Sequence, residues 1–202
     1  MASFGDYTLV ERIGQGGMAE IWLAKRTGVR GFEKPLALKK ILSKHTEKPA
    51  FIEMFVDEAK LTSRLTHQNI VQIYELGAID SEYYIAMEYV PGWDLLRVLQ
   101  RAAGQKKPVP AGVAIRLMAD VCRGLDYAHT AKGNDGVPLN IVHFDVSPSN
   151  ILIGITGAIK VSDFGVARAS MGAGEGTAGD RFRGKVAYMS PEQLENRAVD
   201  CR

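Results

Sequence analysis

The stretch that decides the fold is IVHFDVSPSNILIG, residues 141–154. It places an aspartate two residues after a histidine, and an asparagine five residues after that aspartate, in front of a short apolar run. Asp145 could accept a proton from a hydroxyl group, and the amide oxygen of Asn150 could bind a divalent metal ion. A loop that combines these two groups is typical of an active site, and its flanking segments should then supply further functional groups.

The segment that follows supplies a second acidic group. Residues 161–165 have the sequence VSDFG, which places Asp163 just after a strand predicted over 158–161. A carboxylate and an amide oxygen, completed by the phosphate oxygens of a substrate, form a ligand set that suits Mg²⁺. Asn150 and Asp163 are therefore the candidate metal ligands.

A glycine-rich segment near the N-terminus fits the same chemistry. Residues 13–21, IGQGGMAEI, place glycines between two predicted strands. Backbone N–H groups there can approach phosphate oxygens without a Cβ in the way. Taken alone this is a weak signal, because glycine-rich hairpins are common and need not bind phosphate.

Lys39, at the end of the strand sequence LALK, is the candidate phosphate-binding lysine. The amphipathic helix predicted after that strand offers Glu58, close to its apolar stripe, as an ion-pair partner. Glu53 and Asp57 stay open as alternative partners, although both are expected on the solvated face. Lys40 is the competing lysine, but the two-residue period of a strand points it to the other face.

The chain divides into a β-rich first part and a mainly helical second part. Periodicity predicts one helix over 51–65 in the first part, with five strands over 7–13, 19–25, 35–42, 69–79 and 82–90. After the PGW sequence at 91–93, we expect two helices over 94–103 and 111–129, a polar loop over 130–140, short strands over 150–153 and 158–161, and a glycine-rich loop over 166–184. The expected fold class is α+β, with residues 1–88 as one lobe and 89–202 as the other.

Composition excludes several other classes of protein. The 202 residues are 46% hydrophobic and 24% charged with a formal net charge of +2, so neither nucleic acid nor a membrane is an expected partner. The sequence contains no 18-residue apolar run and no signal peptide is recognisable. Cys122 and Cys201 lack metal-type spacing, so we expect a reduced, cytoplasmic setting.

Taken in order, these motifs resemble those of the eukaryotic-like protein Ser/Thr kinase family, in its bacterial branch. The series is a glycine-rich loop, a strand lysine, a helix glutamate, H-x-D-x-x-x-x-N, D-F-G, and YMSPE at 188–192, which is similar to the family's A-P-E element. It runs from Ile13 to Glu192. The resemblance implies a two-lobed kinase fold with a five-stranded antiparallel sheet and one helix in the N-terminal lobe. It also implies Mg²⁺-dependent transfer of phosphate from ATP to Ser or Thr of protein substrates, including the chain itself.

The resemblance also implies roles for individual residues. Asp145 matches the catalytic base, and Lys39, braced by Glu58, matches the lysine that holds the α- and β-phosphates. Asn150 and Asp163 match the metal ligands. The implied nucleotide-binding residues are Ile13, Gly14, Gln15, Gly16, Gly17, Ala19 in place of the third loop glycine, Ile21, Ala37, Lys39, Met87, Glu88, Val90 and Leu152. Pro148 resembles the Ser/Thr-specific version of the catalytic loop.

Three residues depart from the family pattern. Phe144 replaces the arginine that receives an activation-loop phosphate, so we expect activity without phosphorylation relayed through this position. Ser147 replaces a lysine that steadies the transferred phosphate, and Lys185 replaces a threonine. Family geometry places these two positions side by side, so Lys185 is expected to supply the missing cation and act in catalysis. A solvent-facing loop lysine is the alternative.

Two other functions stay open. The departures at Phe144 and Ser147 also fit a pseudokinase or interaction module that binds nucleotide without turnover. A small-molecule kinase is a weaker third candidate, because YMSPEQ resembles the peptide-binding segment of protein kinases. In the family, further helices of the larger lobe follow this point, so we expect a catalytic domain truncated at its C-terminal end. Helix 111–129 has an apolar stripe formed by Ala114, Leu117, Val121, Leu125 and Ala128. This stripe is then expected to be partly exposed.

Overall fold

A computed structural model of the chain describes residues 2–17, 19–42, 49–164, 186–195 and 197–201. The chain forms two compact units, Met1–Arg64 with Gln72–Tyr89, and Leu65–Val71 with Val90–Arg202. Residues 65–71 thus pack with the second unit. The loop predicted over 166–184 and the candidate catalytic residue Lys185 lie outside the described residues.

The described residues of the first unit form an antiparallel sheet and one α-helix. Its elements are β1 (Ala2–Phe4), β2 (Tyr7–Gln15), β3 (Ala19–Thr27), β4 (Glu33–Ile41), α1 (Pro49–Thr62), β5 (Ile73–Ile79) and β6 (Glu82–Met87). The strands lie in the order β1-β2-β3-β4-β6-β5. The α+β class is confirmed, but the sheet has six strands, one more than expected. The additional strand β1 folds back on β2 through Gly5, which has a φ of +53°, and it buries Phe4.

Two apolar clusters pack on the opposite faces of this sheet. One cluster consists of Phe4, Tyr7, Leu9, Ala24, Leu36, Leu38, Tyr84 and Ala86. The other packs Ile41 and Ile85 of the sheet against Phe55 and Ala59 of α1. Because side chains alternate along β4, Lys39 shares the face of Ile41, which α1 covers.

The second unit contains a small sheet and three helices among its described residues. Its elements are β7 (Gly92–Asp94), α2 (Leu95–Gly104), α3 (Ala111–Thr130), β8 (Ile151–Gly154), β9 (Ile159–Val161) and α4 (Pro191–Leu194). The sheet order is β7-β8-β9. Strand β7 was not expected from PGW. It requires glycine at position 92, since a Cβ there would lie 2.0 Å from the carbonyl oxygen of Ile153.

Helix α3 provides the core of the second unit. Leu117, Val121 and Ala128 are buried as expected, together with Ile141, Ile151, Val161 and Phe164. The predicted stripe is wrong at its first position, because Ala114 is exposed. The buried face is centred nearer the C-terminal half, where Gly124 allows close packing: a Cβ there would lie 2.8 Å from the carbonyl oxygen of Asn69.

The exposed apolar residues of α3 lie mainly near its start. Val113, Ile115 and Met118 are 55%, 71% and 45% exposed, respectively. The expectation that the apolar stripe would be partly exposed is therefore wrong for Leu117, Val121 and Ala128, because the large exposed apolar residues of α3 lie outside that stripe. Among the helices of the described ranges, none has both the length and the apolar character needed to cross a bilayer.

Candidate active site

The glycine-rich segment connects β2 to β3. Gly16 donates its N–H to the carbonyl oxygen of Ala19 at 2.7 Å, and a Cβ on Gly16 would lie 3.3 Å from that oxygen. Gln15 and Gly16 are exposed, whereas Ile13, Gly14 and Gly17 are half-buried. The Gly16–Ala19 bond closes a turn in which Gly16 and Gly17 carry no side chain.

Ala19, expected in place of the third loop glycine, is buried, unlike the exposed Gln15 and Gly16 of the same turn. Its side chain is only 8% exposed and belongs to the cluster that contains Ile41 and Phe55. The methyl group therefore packs in the core of the first unit. Only the backbone of Ala19 could contact a phosphate.

Strand β4 and helix α1 bring Lys39 to Glu58. The Lys39 Nζ and Glu58 Oε1 atoms are 2.7 Å apart, and the two side chains are 14% and 15% exposed. The alternative partners of α1, Glu53 and Asp57, are both exposed. Lys40 points to the other face, where it pairs with an acidic residue of β6 at 3.0 Å. The structure thus selects one lysine–glutamate pair from the alternatives that the sequence left open.

The strand register places four of the candidate nucleotide-binding residues on one face of the sheet. Ile21 of β3 lies opposite Lys39, and Met87 of β6 lies opposite Ala37. Ala37 and Lys39 are two residues apart on β4 and therefore share a face. The backbone N–H of the next candidate, Glu88, donates to the carbonyl oxygen of Gln72 at 2.8 Å.

Two candidate nucleotide-binding residues belong to the second unit. Leu152 is half-buried on β8, where its Cα partners are Asp94 and Lys160. Val90 is half-buried, and its Cγ1 atom would lie 3.5 Å from a Cβ on Gly154. The candidates are therefore distributed between both units.

Asn150 fixes the backbone and the carboxylate of Asp145. The Asn150 Nδ2 group donates to the Asp145 carbonyl oxygen and to Asp145 Oδ2, both at 2.9 Å. Because two acceptors surround Nδ2, the orientation of the amide is determined, and Oδ1 faces the Ser149 hydroxyl at 3.4 Å. A 3₁₀ turn over Pro148–Asn150 holds the asparagine, which is 6% exposed.

His143 holds the same loop through hydrogen bonds, and its side chain is neutral. It is 1% exposed, and burial lowers its pKa below the ordinary value of 6.5. Its Nδ1 atom accepts the Asp145 N–H at 3.2 Å, so the proton lies on Nε2, which donates to the Ser162 carbonyl oxygen at 3.1 Å. The imidazole also packs on Phe164, with 4.5 Å between the ring centroids.

Ser162 connects Asp163 to the catalytic loop. Its backbone N–H donates to the Asn150 carbonyl oxygen at 2.9 Å, and its hydroxyl lies 3.4 Å from Asp163 Oδ2. Asp163 has a φ of +53° and Phe144 a φ of +60°. This left-handed conformation costs a non-glycine residue roughly 1 kcal/mol, so the surrounding bonds must hold both residues in place.

The oxygens of Asn150 and Asp163 fit a magnesium ion. Both are hard donors, and Mg²⁺ is usually bound by one or two side chains with phosphate and water oxygens completing the octahedron. Within the described ranges, no group of three or more His, Cys, Asp or Glu residues could hold a metal by itself.

Two of the three positions that depart from the family pattern, Ser147 and Phe144, lie within the described residues. Ser147 is 3% exposed, and its hydroxyl lies 3.0 Å from that of Ser149. Phe144 is half-buried, and its carbonyl oxygen accepts a hydrogen bond from Gln193 Nε2 at 2.8 Å. Neither Ser162 nor Gln193 was identified from the sequence. Gln193 could have been found from its spacing to Ser190, which is typical of a helix capping box.

The fold and these motifs define a protein kinase. The family profile described as the protein kinase domain matches residues 7–201. The chain belongs to this family.

Several curated relatives match nearly the whole chain. Tyrosine-protein kinase MasK of Myxococcus xanthus is 45% identical over 199 residues, which cover 98% of this chain and 31% of that protein. Serine/threonine-protein kinase PknB of Mycobacterium leprae is 34% identical, over 97% of this chain and 30% of its own length. Serine/threonine-protein kinase PrkC of Bacillus subtilis is 37% identical, and the match covers 94% of this chain and 27% of that protein. The chain thus spans about 30% of the length of these relatives.

A solved structure supports the same fold. The PknI kinase domain of Mycobacterium tuberculosis matches with a TM-score of 0.68 and 27% identity. The match covers 99% of this chain and 69% of that structure. The expected two-lobed, kinase-like fold is confirmed.

Proposed function

We propose that the chain transfers the γ-phosphate of ATP to Ser or Thr hydroxyls of protein substrates, itself included, in the cytoplasm. Residues 1–88 and 89–202 would act as the two lobes of one kinase domain. The observation that carries the proposal is the pair of bonds from Asn150 to Asp145, both 2.9 Å long. These bonds orient a carboxylate on a loop whose supporting histidine is buried and neutral.

Asp145 orients the acceptor hydroxyl and accepts its proton. The bond from Asn150 to Oδ2 restrains rotation of the carboxylate, so little orientational freedom is lost when the substrate arrives. The buried ring of His143 is neutral and therefore adds no charge beside the carboxylate, and its Nδ1 lone pair already accepts the Asp145 N–H. Phosphoryl transfer asks little covalent chemistry of the protein, so this positioning should supply much of the rate.

The other candidates bind the nucleotide and its metal ion. Asn150 and Asp163 would hold Mg²⁺, which neutralises charge on the phosphate oxygens when bound. Lys39 would hold the α- and β-phosphates, and its 2.7 Å contact with Glu58 keeps the ammonium group directed. The exposed backbone at Gln15 and Gly16 would cover the phosphates. Ile21, Ala37, Met87 and Leu152 would pack on the base, with backbone groups of Glu88 and Val90 bonding its edge.

Lys185 would replace the cation that Ser147 does not supply. Ser147 is buried, so a lysine at that position would have to leave a packed environment to reach a phosphate. A unit charge about 4 Å from a phosphate oxygen is worth up to about 4 kcal/mol at an effective dielectric constant near 20. Lys185→Met is therefore expected to lower kcat about tenfold or more, and Lys185→Arg to lower it less. Unchanged turnover in Lys185→Met would show that the residue faces solvent.

The proposal also specifies which amino acid accepts the phosphate. Pro148 and the named activities of PknB and PrkC favour Ser or Thr, whereas the name of MasK favours Tyr. The test is incubation of the chain and a generic basic protein with ATP and Mg²⁺, followed by mass spectrometry of the phosphorylated residues. We expect phosphoserine and phosphothreonine in wild type, and about 10³-fold less of both with Asp145→Asn.

The other outcomes of this experiment decide between the alternatives. Phosphotyrosine alone would assign the chain to the tyrosine-directed group. No transfer by the wild-type protein, together with a nucleotide-induced thermal shift, would favour the binding module without turnover.

A further inference from the structure

Gln193 of α4 forms a bond to the peptide group that precedes Asp145. Its Nε2 atom donates to the carbonyl oxygen of Phe144 at 2.8 Å. The two residues are 49 positions apart in sequence, and both belong to the second unit. The acceptor is a backbone atom, so the bond does not depend on which side chain occupies position 144.

The Phe144–Asp145 peptide is consequently held at both of its polar atoms. Its N–H, which belongs to Asp145, contacts the carbonyl oxygen of His143 at 2.8 Å and His143 Nδ1 at 3.2 Å. Its carbonyl oxygen is held by Gln193. A peptide group is planar and rotates as a unit, so these contacts together set the direction in which the Asp145 side chain leaves the backbone.

The conformation at Phe144 makes this restraint necessary. Its φ of +60° lies in the left-handed region, which a bulky residue avoids unless its surroundings hold it there. Rotation about the N–Cα bond of Phe144 would relieve the strain, and it would also move the following peptide and turn Asp145. A hydrogen bond to the peptide carbonyl opposes that rotation directly.

Gln193 is itself fixed in the orientation that this bond requires. Its Oε1 atom accepts the N–H of Ser190 at 3.1 Å, and its own N–H donates to Ser190 Oγ at 3.4 Å. This is a capping box at the start of α4. Because Oε1 is directed to Ser190, the amide donor is directed to Phe144.

We propose that Gln193 is a positioning residue that holds the left-handed Phe144 peptide and thereby aims Asp145 at the acceptor hydroxyl. The inference rests on the proposed role of Asp145. It gives the segment 190–193 a direct mechanical connection to the catalytic carboxylate, without a phosphate group as intermediary.

Steady-state kinetics of the full chain test the consequence for catalysis. Gln193→Glu keeps an oxygen for the Ser190 N–H but loses the donor to Phe144, so it separates the two bonds. We expect kcat to fall about 10- to 100-fold, with the KM for ATP nearly unchanged. Gln193→Ala should behave similarly, and the exposed Gln100→Ala serves as the matched control with wild-type kinetics.

A double-mutant cycle separates positioning from general destabilisation. Glycine adopts the left-handed conformation without strain, so in a Phe144→Gly background the loss of the Gln193 donor should cost less activity. If the role of Gln193 were purely structural, its substitution would lower kcat by the same factor in both backgrounds. That result would overturn the proposal.

Amide hydrogen exchange gives a readout that does not depend on turnover. We expect the Asp145 N–H to exchange faster in Gln193→Glu than in wild type, at an unchanged melting temperature. Unchanged exchange at Asp145, or unchanged kcat despite faster exchange, would overturn the positioning role. A wild-type chain without phosphate transfer would instead overturn the proposed function.

Discussion

Replacing Asp145 with asparagine is expected to reduce phosphoryl transfer about 10³-fold while leaving nucleotide binding nearly unchanged. Asparagine has almost the same size but cannot take the proton from the acceptor hydroxyl. The bond from Asn150 to the backbone oxygen at position 145, 2.9 Å in the wild type, does not involve the changed side chain. Single-turnover transfer from labelled ATP measures the chemical step, and calorimetry measures nucleotide affinity.

A matched control for this substitution is available on α3. Asp126 is exposed, so Asp126→Asn removes one carboxylate without touching the catalytic loop. It should retain wild-type transfer. Asp145→Asn with more than about a tenth of the wild-type rate would show that this carboxylate is not the proton acceptor, since general-base catalysis alone should contribute at least about 10²-fold.

Replacing Lys39 with methionine is expected to lower kcat/KM for ATP about 10²- to 10³-fold. The lost interaction is a unit charge on the phosphates, worth up to about 4 kcal/mol at roughly 4 Å and an effective dielectric constant near 20. The substitution also leaves Glu58, which is 15% exposed, without the ammonium group at 2.7 Å. We therefore expect a loss of about 1–3 kcal/mol in the free energy of unfolding as well. Kinetics and urea unfolding measure the two effects separately.

Two further variants separate these effects. Lys40→Met removes a lysine that pairs on the opposite face at 3.0 Å and should leave kcat/KM unchanged. Lys39→Met combined with Glu58→Gln should recover stability, because the carboxylate that faced the Lys39 ammonium group is then removed as well, but should not recover activity. Equal losses of activity in Lys39→Met and Lys40→Met would contradict the assignment of Lys39.

The long periodic elements were predictable from the sequence, and the shortest ones were not. The helix expected over 111–129 is observed as Ala111–Thr130, and the helix expected over 51–65 as Pro49–Thr62. Strands β1 and β7 each have three residues, too few to show a period. Tertiary contacts hold them, through the burial of Phe4 and the close approach of Gly92 to Ile153.

The strand expected over 69–79 shows how tertiary contacts shorten an element. It begins at Ile73, because its first residues pair with the second unit instead. The Val71 N–H donates to the Val161 carbonyl oxygen at 2.9 Å, and the Val161 N–H donates to that of Asn69 at 2.8 Å. A periodic apolar pattern does not tell which neighbouring backbone a residue will bond.

Parts of the candidate site followed from side-chain periodicity alone. The two-residue period of β4 separated Lys39 from Lys40, and the helical period of α1 favoured Glu58. The contacts of Ser162 and Gln193 with backbone carbonyl oxygens could not be predicted in this way. These contacts join residues that are 12 and 49 positions apart in the sequence, and side-chain periodicity does not encode such distant pairs.

Stabilisation by ATP and Mg²⁺ tests most directly the central proposal that Lys39 and Asp163 act on one bound nucleotide. The measurement is the shift in melting temperature for wild type, Lys39→Met, Asp163→Asn and the double variant. We predict that each single substitution removes most of the shift, and that the double variant loses little more, because both act on the same ligand. A full shift that persists in Asp163→Asn or in Lys39→Met would contradict the claim.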